Sequence, residues 1–410
     1  MAEIKSTQNS FNLVGTLHIV EPTEQKKFGS FKIDQINAKG NWQSSTANLS
    51  VNCGPNYGTI YASLTGGHSL TSDSLAWFTP VDEDGKFIKD AEKVEVKFSE
   101  RENFDMKTVS PYEGYVLGMG LSQTQRYAFA EDFIKAIKEN FKDGDTVRIL
   151  GNLEYYRNPE DGTVTINKII RAVYKSETKP ENFSATFEMQ VLADEFTTAG
   201  EPDKTRKTFP LFFKVASYIY RIGENVYKKV GCYPVKILYD YSKIDPNNEV
   251  GKRNFANVLK KFKVEKGQVS LITVCGKFVE GAEQKEVKIE DYPQEIREAY
   301  ELGLITEEQL KGTAGTQQRN KDMFFTEFKI KEVQVEDQTG TKTITTLAIE
   351  PNKYSIKDII MVEDLVPIET IDSPAQNEAM LKENKAMADV LSAEDDEDIN
   401  DELLSSLFND

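Results

Sequence analysis

Two histidines and three cysteines are scattered through 410 residues. Cys53, Cys232 and Cys275 are odd in number and far apart, which fits reduced thiols and argues against a disulfide framework or a paired-cysteine zinc site. With His18 and His68 the only imidazoles, no metal and no other cofactor is expected. No apolar run approaches the roughly 18 residues that a membrane helix requires, and Met1 to Asn9 is polar, without the hydrophobic segment of a secretory signal. A cytoplasmic protein is expected, in the host cytoplasm if the chain is viral. Signatures of catalysis are missing too: no glycine-rich loop runs into Lys and Ser or Thr, and there is no His-Glu-Xaa-Xaa-His, no Gly-Xaa-Ser-Xaa-Gly and no Lys-Xaa-Asp-Gly. His68, beside Gly66 and Gly67, reads as a turn residue rather than a general base. Asp82, Glu83 and Asp84, followed by Gly85, read as a surface turn rather than a metal site. No enzymatic activity is expected.

Charge is present in excess, but it is unevenly placed. The formal net charge is −17. From Glu363 onward there are 15 acids and 2 bases, a net of −13, which leaves −4 for everything before it. Asp389 to Asp410 holds nine acids and no Lys or Arg, Asp395, Asp396, Glu397 and Asp398 among them. It closes on Leu403, Leu404, Leu407 and Phe408. A like-charged run stays solvated, so apolar residues at its tip read as anchors for a protein partner. The opposite sign gathers between Lys204 and Lys266, where 15 basic side chains face 5 acidic ones among eleven aromatic residues.

Strand patterns dominate the body. Phe11, Leu13, Leu17 and Ile19 alternate with polar or small residues, as do Leu49, Val51 and Cys53, and Val147, Ile149 and Leu153, the period of two of a half-buried strand. Two helices are expected. One spans Arg126 to Phe141, with Phe129, Phe133, Ile137 and Phe141 on one face; the other spans Arg253 to Val264, with Phe255, Val258, Leu259 and Phe262. Each leads through a glycine, Gly144 or Gly267, into a strand that itself contains a glycine, Gly151 or Gly276. This recurrence at nearly constant offset points to a duplicated unit.

Several antiparallel strands with one helix before the fourth is the plan of the OB-fold, a small five-stranded barrel. The expected fold class is mainly β, with tandem OB-fold-like barrels. The first unit occupies 1–178, with strands near 11–20, 27–37, 46–64, 146–157 and 163–175 and an insertion before the helix. The second occupies 179–362, with strands near 185–195, 206–220, 232–241, 268–279 and 324–335 and a helical excursion from Glu295 to Lys311. A flexible acidic tail, 363–410, follows. Plain β-sandwiches would give the same alternation.

Basic side chains neutralise phosphates and aromatic rings stack on unpaired bases, so the segment from Lys204 to Lys266 describes a groove for single strands. On its first strand Phe209, Leu211, Phe213, Val215 and Ile219 share the inward parity. Phe212, Lys214, Tyr218 and Tyr220 share the other and are candidate nucleic-acid contacts, together with Lys228, Lys229, Lys252, Arg253, Lys260, Lys261 and Lys263. In the first unit Trp42, Tyr57, Tyr61 and Trp77 occur among polar residues, and Arg148, Tyr156 and Arg157 lie on its fourth strand; Trp42 and these last three join the candidate set. Aromatic residues in strands also serve packing, and lysines also serve a solvated surface.

The opening Asn9-Ser10-Phe11-Asn12-Leu13-Val14-Gly15-Thr16-Leu17 and the tail Asp395-Asp396-Glu397-Asp398-Ile399 followed by Phe408 resemble the single-stranded DNA-binding proteins of bacteria and bacteriophages. The bacterial proteins carry one short barrel per chain and end in Ile-Pro-Phe, whereas this chain is longer and continues to Asn409-Asp410. The resemblance implies OB-folds that coat single-stranded DNA in replication, recombination and repair, and a tail that recruits replication and recombination enzymes. Nothing in the sequence separates DNA from RNA. A non-catalytic phage protein whose β-domains bind other proteins or serve a structural role is the alternative reading.

Overall fold

A computed structural model describes residues 4–22, 29–120, 123–158, 161–222, 225–244, 248–283, 297, 300, 318–337 and 340–367. The strands of the first half are β1 (Asn9–His18), β2 (Phe31–Ile36), β3 (Trp42–Asn52), β4 (Thr59–Ser69), β5 (Leu75–Phe78), β6 (Val94–Lys97), β7 (Tyr115–Gly118), β8 (Thr124–Tyr127), β9 (Thr146–Arg157) and β10 (Val164–Lys175), with helix α1 (Ala130–Asn140) before β9. In the second half are β11 (Ser184–Ala193), β12 (Thr208–Ile222), β13 (Asn225–Asp240), helix α2 (Glu249–Lys260), β14 (Gln268–Glu283), β15 (Gln318–Phe328), β16 (Ile330–Asp337), β17 (Gly340–Leu347) and β18 (Ile349–Ser355). Among the described residues no helix is long and apolar enough to cross a membrane.

Strand pairing closes two barrels with the same order. In the first, β1 pairs with β3, β3 with β4, β4 with β10 in parallel, β10 with β9, and β9 with β1. In the second, β11 pairs with β12, β12 with β13, β13 with β15 in parallel, β15 with β14, and β14 with β11. Each helix plugs its barrel between the third and fourth strands of this circuit. Phe133, Ile134 and Ile137 are fully buried on α1, and Phe255 and Leu259 are buried on α2. Gly144 and Gly267 both take positive φ, +88° and +73°, the left-handed turn that glycine adopts without a Cβ clash.

The in-strand glycines have a more specific cause than bending. Gly151 stands opposite Phe11, and Gly276 opposite Phe187. A Cβ on Gly151 would lie 2.7 Å from the Phe11 ring and 2.0 Å from the Ile169 carbonyl oxygen; on Gly276 it would lie 2.1 Å from the Phe187 ring and 2.3 Å from the Phe324 carbonyl oxygen. Each barrel therefore packs the aromatic ring of its first strand into space left by a glycine of its fourth.

The barrels are joined through those same first strands. β1 pairs antiparallel with β11 from Asn9↔Met189 to Val14↔Ser184, and Phe11 falls directly opposite Phe187. Phe11 and Phe187 occupy equivalent places in their barrels, so a local two-fold axis passes between them. Further contacts lock the arrangement. Lys168 and Glu280 form a buried ion pair at 2.5 Å, the Glu280 amide donates to the Tyr57 carbonyl at 2.9 Å, and Tyr155 stacks on Tyr233 with centroids 5.7 Å apart.

Several sequence expectations shift in detail. The stretch expected as one strand at 46–64 is the hairpin β3–β4, turned by Gly54 and Gly58 at positive φ. Helix α1 begins at Ala130 rather than Arg126, because Arg126 lies on β8 and its guanidinium donates to the carbonyls of Met106, Val109, Ser110 and Glu113. That clasp holds the segment between β6 and β7 against β8, and the insertion joins the barrel where β7 pairs in parallel with β10. Helix α2 starts earlier than Arg253, since the Asn248 side chain caps the Val250 and Gly251 amides. The strand expected at 324–335 is divided: β15 closes the barrel, while β16 pairs only with β17 in a separate ribbon. His68 is no turn residue; it is the penultimate residue of β4, stacked on Phe98 at 3.9 Å with Nδ1 2.8 Å from Glu131. The excursion expected at Glu295 to Lys311 falls outside the described residues, apart from Arg297 and Tyr300.

Gly151→Ala is expected to cost about 1–3 kcal/mol, the usual range for overpacking a tight core. Denaturant unfolding checks this, with Gly85→Ala, at an open surface turn, as the comparison that separates packing from positive-φ strain.

Candidate nucleic-acid interface

OB-folds present ligands to the outer surface of their second and third strands, here β3–β4 and β12–β13. Alternation decides what that surface carries. On β12 Phe209, Leu211, Phe213, Val215 and Ile219 are buried, while Phe212, Tyr218 and Tyr220 are exposed at 44%, 54% and 56%. On β4 Ile60, Ala62 and Leu64 are buried and Tyr61 is 49% exposed.

The two surfaces can be superposed rung by rung. The Ile169 and Phe324 carbonyls stand in the same relation to the two in-strand glycines, and these residues pair in parallel with Ser63 and Leu238. Ser63 is thus the equivalent of Leu238, and Tyr61 that of Lys236. Tyr61 stands opposite Ser50, and Lys236 stands opposite Phe212. The same cross-strand rung of each barrel therefore bears one exposed ring, from β4 in one and from β12 in the other. Tyr61 is legible as outward-facing from its apolar neighbours; Lys236, set between Val235 and Ile237, carries no signal in the sequence that separates it from the other lysines of β13.

Trp42 begins the outer row of β3. Its indole rests on Gly67, where a Cβ would lie 2.5 Å from Nε1, and it lines a shallow pocket of about 380 Å³ with Gly66, Leu75 and Phe129. One face of this ring is thus supported by bare backbone. Tyr156 is exposed on the far end of β9, Arg148 donates from Nε to the Asn12 side chain at 3.0 Å, and Arg157 pairs with Glu363 at 3.5 Å.

The basic, aromatic segment does not form one groove. Of its eleven aromatic residues, Phe209, Phe213, Tyr227, Tyr233, Tyr241, Phe255 and Phe262 are buried and Tyr239 is half-buried. Lys252, Arg253 and Lys260 lie on α2, with Lys261 and Lys263 in the turn after it, at the barrel end where Phe209 meets Phe255 at 6.2 Å. Tyr218 is nine residues along β12 from Phe209, about 30 Å at the strand rise. The helix lysines and the hairpin tyrosines therefore occupy opposite ends of the barrel. At the tyrosine end Lys228 lies 5.8 Å from the Tyr220 ring centroid, within cation–π range, and Lys229 is exposed beside it. Lys214, between the two ends, is held by Asp194, and Lys252 pairs with Glu249 at 3.2 Å.

The middle of the β12–β13 surface is covered by the chain itself. Ala216 and Cys232, opposite each other, are buried with Ile4, Leu192, Val269 and Tyr354. The Thr7 amide donates to the Ala216 carbonyl at 2.8 Å, and the Cys232 amide donates to Ile360 at 2.8 Å. Burial pushes the Cys232 thiol up to about 11. Val362 and Leu365 pack on the opposite, core-facing side of the arm, against Gly231 and Ile219. The residues of the acidic tip, Asp395 to Asp398, Leu403, Leu404, Leu407 and Phe408, lie outside the described residues.

No protein-family model and no curated protein matches the chain. Among the solved structures similar to it are two forms of one protein. A deletion variant of the single-stranded DNA-binding protein from Thermus aquaticus is 14% identical, with 71% of this chain and 100% of that chain covered and a TM-score of 0.28. The wild-type protein is 13% identical, with 68% and 87% covered and a TM-score of 0.26. The barrels themselves follow from the strand pairing set out above.

Opposite faces of β12 should respond oppositely to truncation. Tyr218→Ala and Tyr220→Ala are expected to change stability by no more than about 0.5 kcal/mol, as at other surface sites. Phe213→Ala should cost about 3–5 kcal/mol. Thermal or urea unfolding of the three variants distinguishes surface rings from core rings.

Proposed function

We propose that this chain is a non-catalytic protein that binds single-stranded nucleic acid, single-stranded DNA in replication and recombination being the reading that its two ends favour. The observation that carries it is the exposed ring at the same rung of the ligand surface in both barrels, Tyr61 in one and Phe212 beside Lys236 in the other. Trp42 and the tyrosines of the β12–β13 arm extend those surfaces. Stacking on aromatic rings tolerates any base and contributes roughly 1–3 kcal/mol per base. The lysines supply attraction to the backbone. Such a surface suits unpaired strands, because duplex bases offer no free face.

The tail belongs to the same proposal. Glu363 and Leu365, the start of the acidic segment, are packed beside Arg157 and Gly231, next to the arm that carries Tyr218 and Tyr220. From there a segment of net −13 competes with a nucleic acid for the basic side chains, and bound DNA frees it to recruit replication and recombination proteins through Leu403, Leu404, Leu407 and Phe408.

Anisotropy titrations with labelled oligo-dT, oligo-U and duplex DNA at two salt concentrations test the reading. Single strands are expected to bind more tightly than duplex, with the affinity falling steeply with salt by a slope of about 0.7 per phosphate contact. Tyr218→Ala or Tyr220→Ala should weaken binding by about 1–3 kcal/mol and leave the salt slope nearly unchanged. Equal affinity for duplex and single strands would refute the single-strand reading.

A tail truncation supplies the second test. Removal of residues after Ala388 is expected to tighten binding of oligo-dT at low salt and to abolish capture of replication proteins, whereas Phe408→Ala should abolish capture alone. Unchanged affinity together with unchanged capture would refute both roles of the tail.

A further inference from the structure

The ligand surfaces of the two barrels meet. A cleft of about 520 Å³ is lined from the first barrel by Asn48, Tyr61, Ser63, Asn167 and Lys168, and from the second by Pro234, Lys236, Asp322 and Met323. Equivalent positions face one another across it: Tyr61 and Lys236 belong to the same rung, and Asn167 and Lys168 match Asp322 and Met323. The cleft therefore straddles the local two-fold axis. Its floor holds the Lys168–Glu280 ion pair, with Lys168 lying 4.6 Å from the Phe278 ring centroid. Asp322 is bound to Arg206 at 2.5 Å, which leaves its charge compensated, and Lys236 makes no ion pair among the described residues. Phe212 is opposite Lys236 on the neighbouring strand.

We infer that one nucleic-acid strand passes through this cleft from the first barrel to the second, running from the Tyr61 surface to the Lys236–Phe212 surface, so that the chain holds one long strand and not two. The inference rests on the single-strand reading above. Three physical points support it. The exposed rings of the two barrels stand on rungs that border a common cleft, which leaves no intervening wall for a strand to climb. The lining offers neutral hydrogen-bonding groups, Asn48, Ser63 and Asn167, and one available cation, a suitable set for a backbone in transit. Finally, the second surface gives the strand no straight continuation along β12, because Ala216 and Cys232 lie under Ile4 and Met361. A strand on Phe212 must leave that surface sideways, and the cleft lies on that side.

The number of strands bound by the full chain tests this directly. An oligo-dT of about 30 nucleotides is long enough for two barrels at roughly 4–16 nucleotides each, and one of about 8 nucleotides fits a single barrel. The long strand is expected to saturate at one per chain in a single-step isotherm, and the short one at two per chain with an affinity at least a hundredfold lower, because joining two contacts in one ligand makes the second intramolecular. Tyr61→Ala and Phe212→Ala should each shift the whole long-strand isotherm by about tenfold or more. Asn167→Trp, which fills the cleft, should split that isotherm into two weaker steps and admit a second long strand. Two long strands per wild-type chain, or variants at Tyr61 and Phe212 that each shift only half of the isotherm, would overturn the crossing while leaving single-strand binding in place. Absence of binding by either oligonucleotide would overturn the single-strand reading and the crossing with it. If Asn167→Trp does not fold, the stoichiometry and the two exposed-ring variants still decide.

Discussion

The antiparallel contact between β1 and β11 governs the rest of the molecule. A closed barrel normally has no free strand edge, yet here the first strand of each barrel is shared. Its N-terminal half pairs with the other barrel and its C-terminal end with its own second strand. Backbone hydrogen bonds thus make the two barrels one sheet and fix their relation more firmly than a flexible linker between domains would. The glycine opposite each central phenylalanine is part of this arrangement. Without that vacancy the ring would be displaced from the pair that sits on the axis.

Symmetry in the frame is accompanied by divergence in what each barrel adds to it. The first carries its insertion between its third strand and its helix, with a small core of Phe78, Val96, Met106 and Val109 and the Arg126 clasp that holds it. Its β3–β4 surface remains open, a row of serine, threonine and asparagine punctuated by Trp42 and Tyr61. The second barrel extends its β12–β13 hairpin into an arm and then draws both the N-terminal segment and residues 359–361 across it. What is open in one barrel is partly roofed in the other, so equivalent surfaces cannot act equivalently.

Periodicity made the duplicated frame legible. Alternation at Phe11, Leu13 and Leu17 and at Val147, Ile149 and Leu153, and the four-residue spacing of Phe129, Phe133 and Ile137, all report burial against a single core, and burial is local in sequence. The candidate site was less legible, because it depends on which surfaces come together. Lysine and aromatic side chains that crowd one stretch of sequence are distributed by a long strand and a helix to the two ends of a barrel. Composition cannot distinguish Phe213, which packs against Phe262, from Phe212, one residue away and exposed. Arg126 reads as a helix start by spacing alone, and only the loop carbonyls around it, 13 to 20 residues distant, make it a structural clasp. The β16–β17 ribbon alternates like a barrel strand and differs in pairing, among the described residues, with nothing beyond its own hairpin.

A two-fold axis has a consequence for any ligand that, like a nucleic-acid strand, has a chemical direction. Rotation about the axis through Phe11 and Phe187 carries one barrel onto the other and reverses the sense of any path that crosses it. A strand entering the first surface with its 5′ end leading would leave across the second with the equivalent groups met in the opposite order. Contacts common to both barrels could then not depend on the order of sugar, phosphate and base along the chain. Contacts that ignore direction, a ring beneath a base and an ammonium beside a phosphate, survive that reversal, whereas a fixed pattern of hydrogen bonds to one polarity would be satisfied in one barrel and frustrated in its twin.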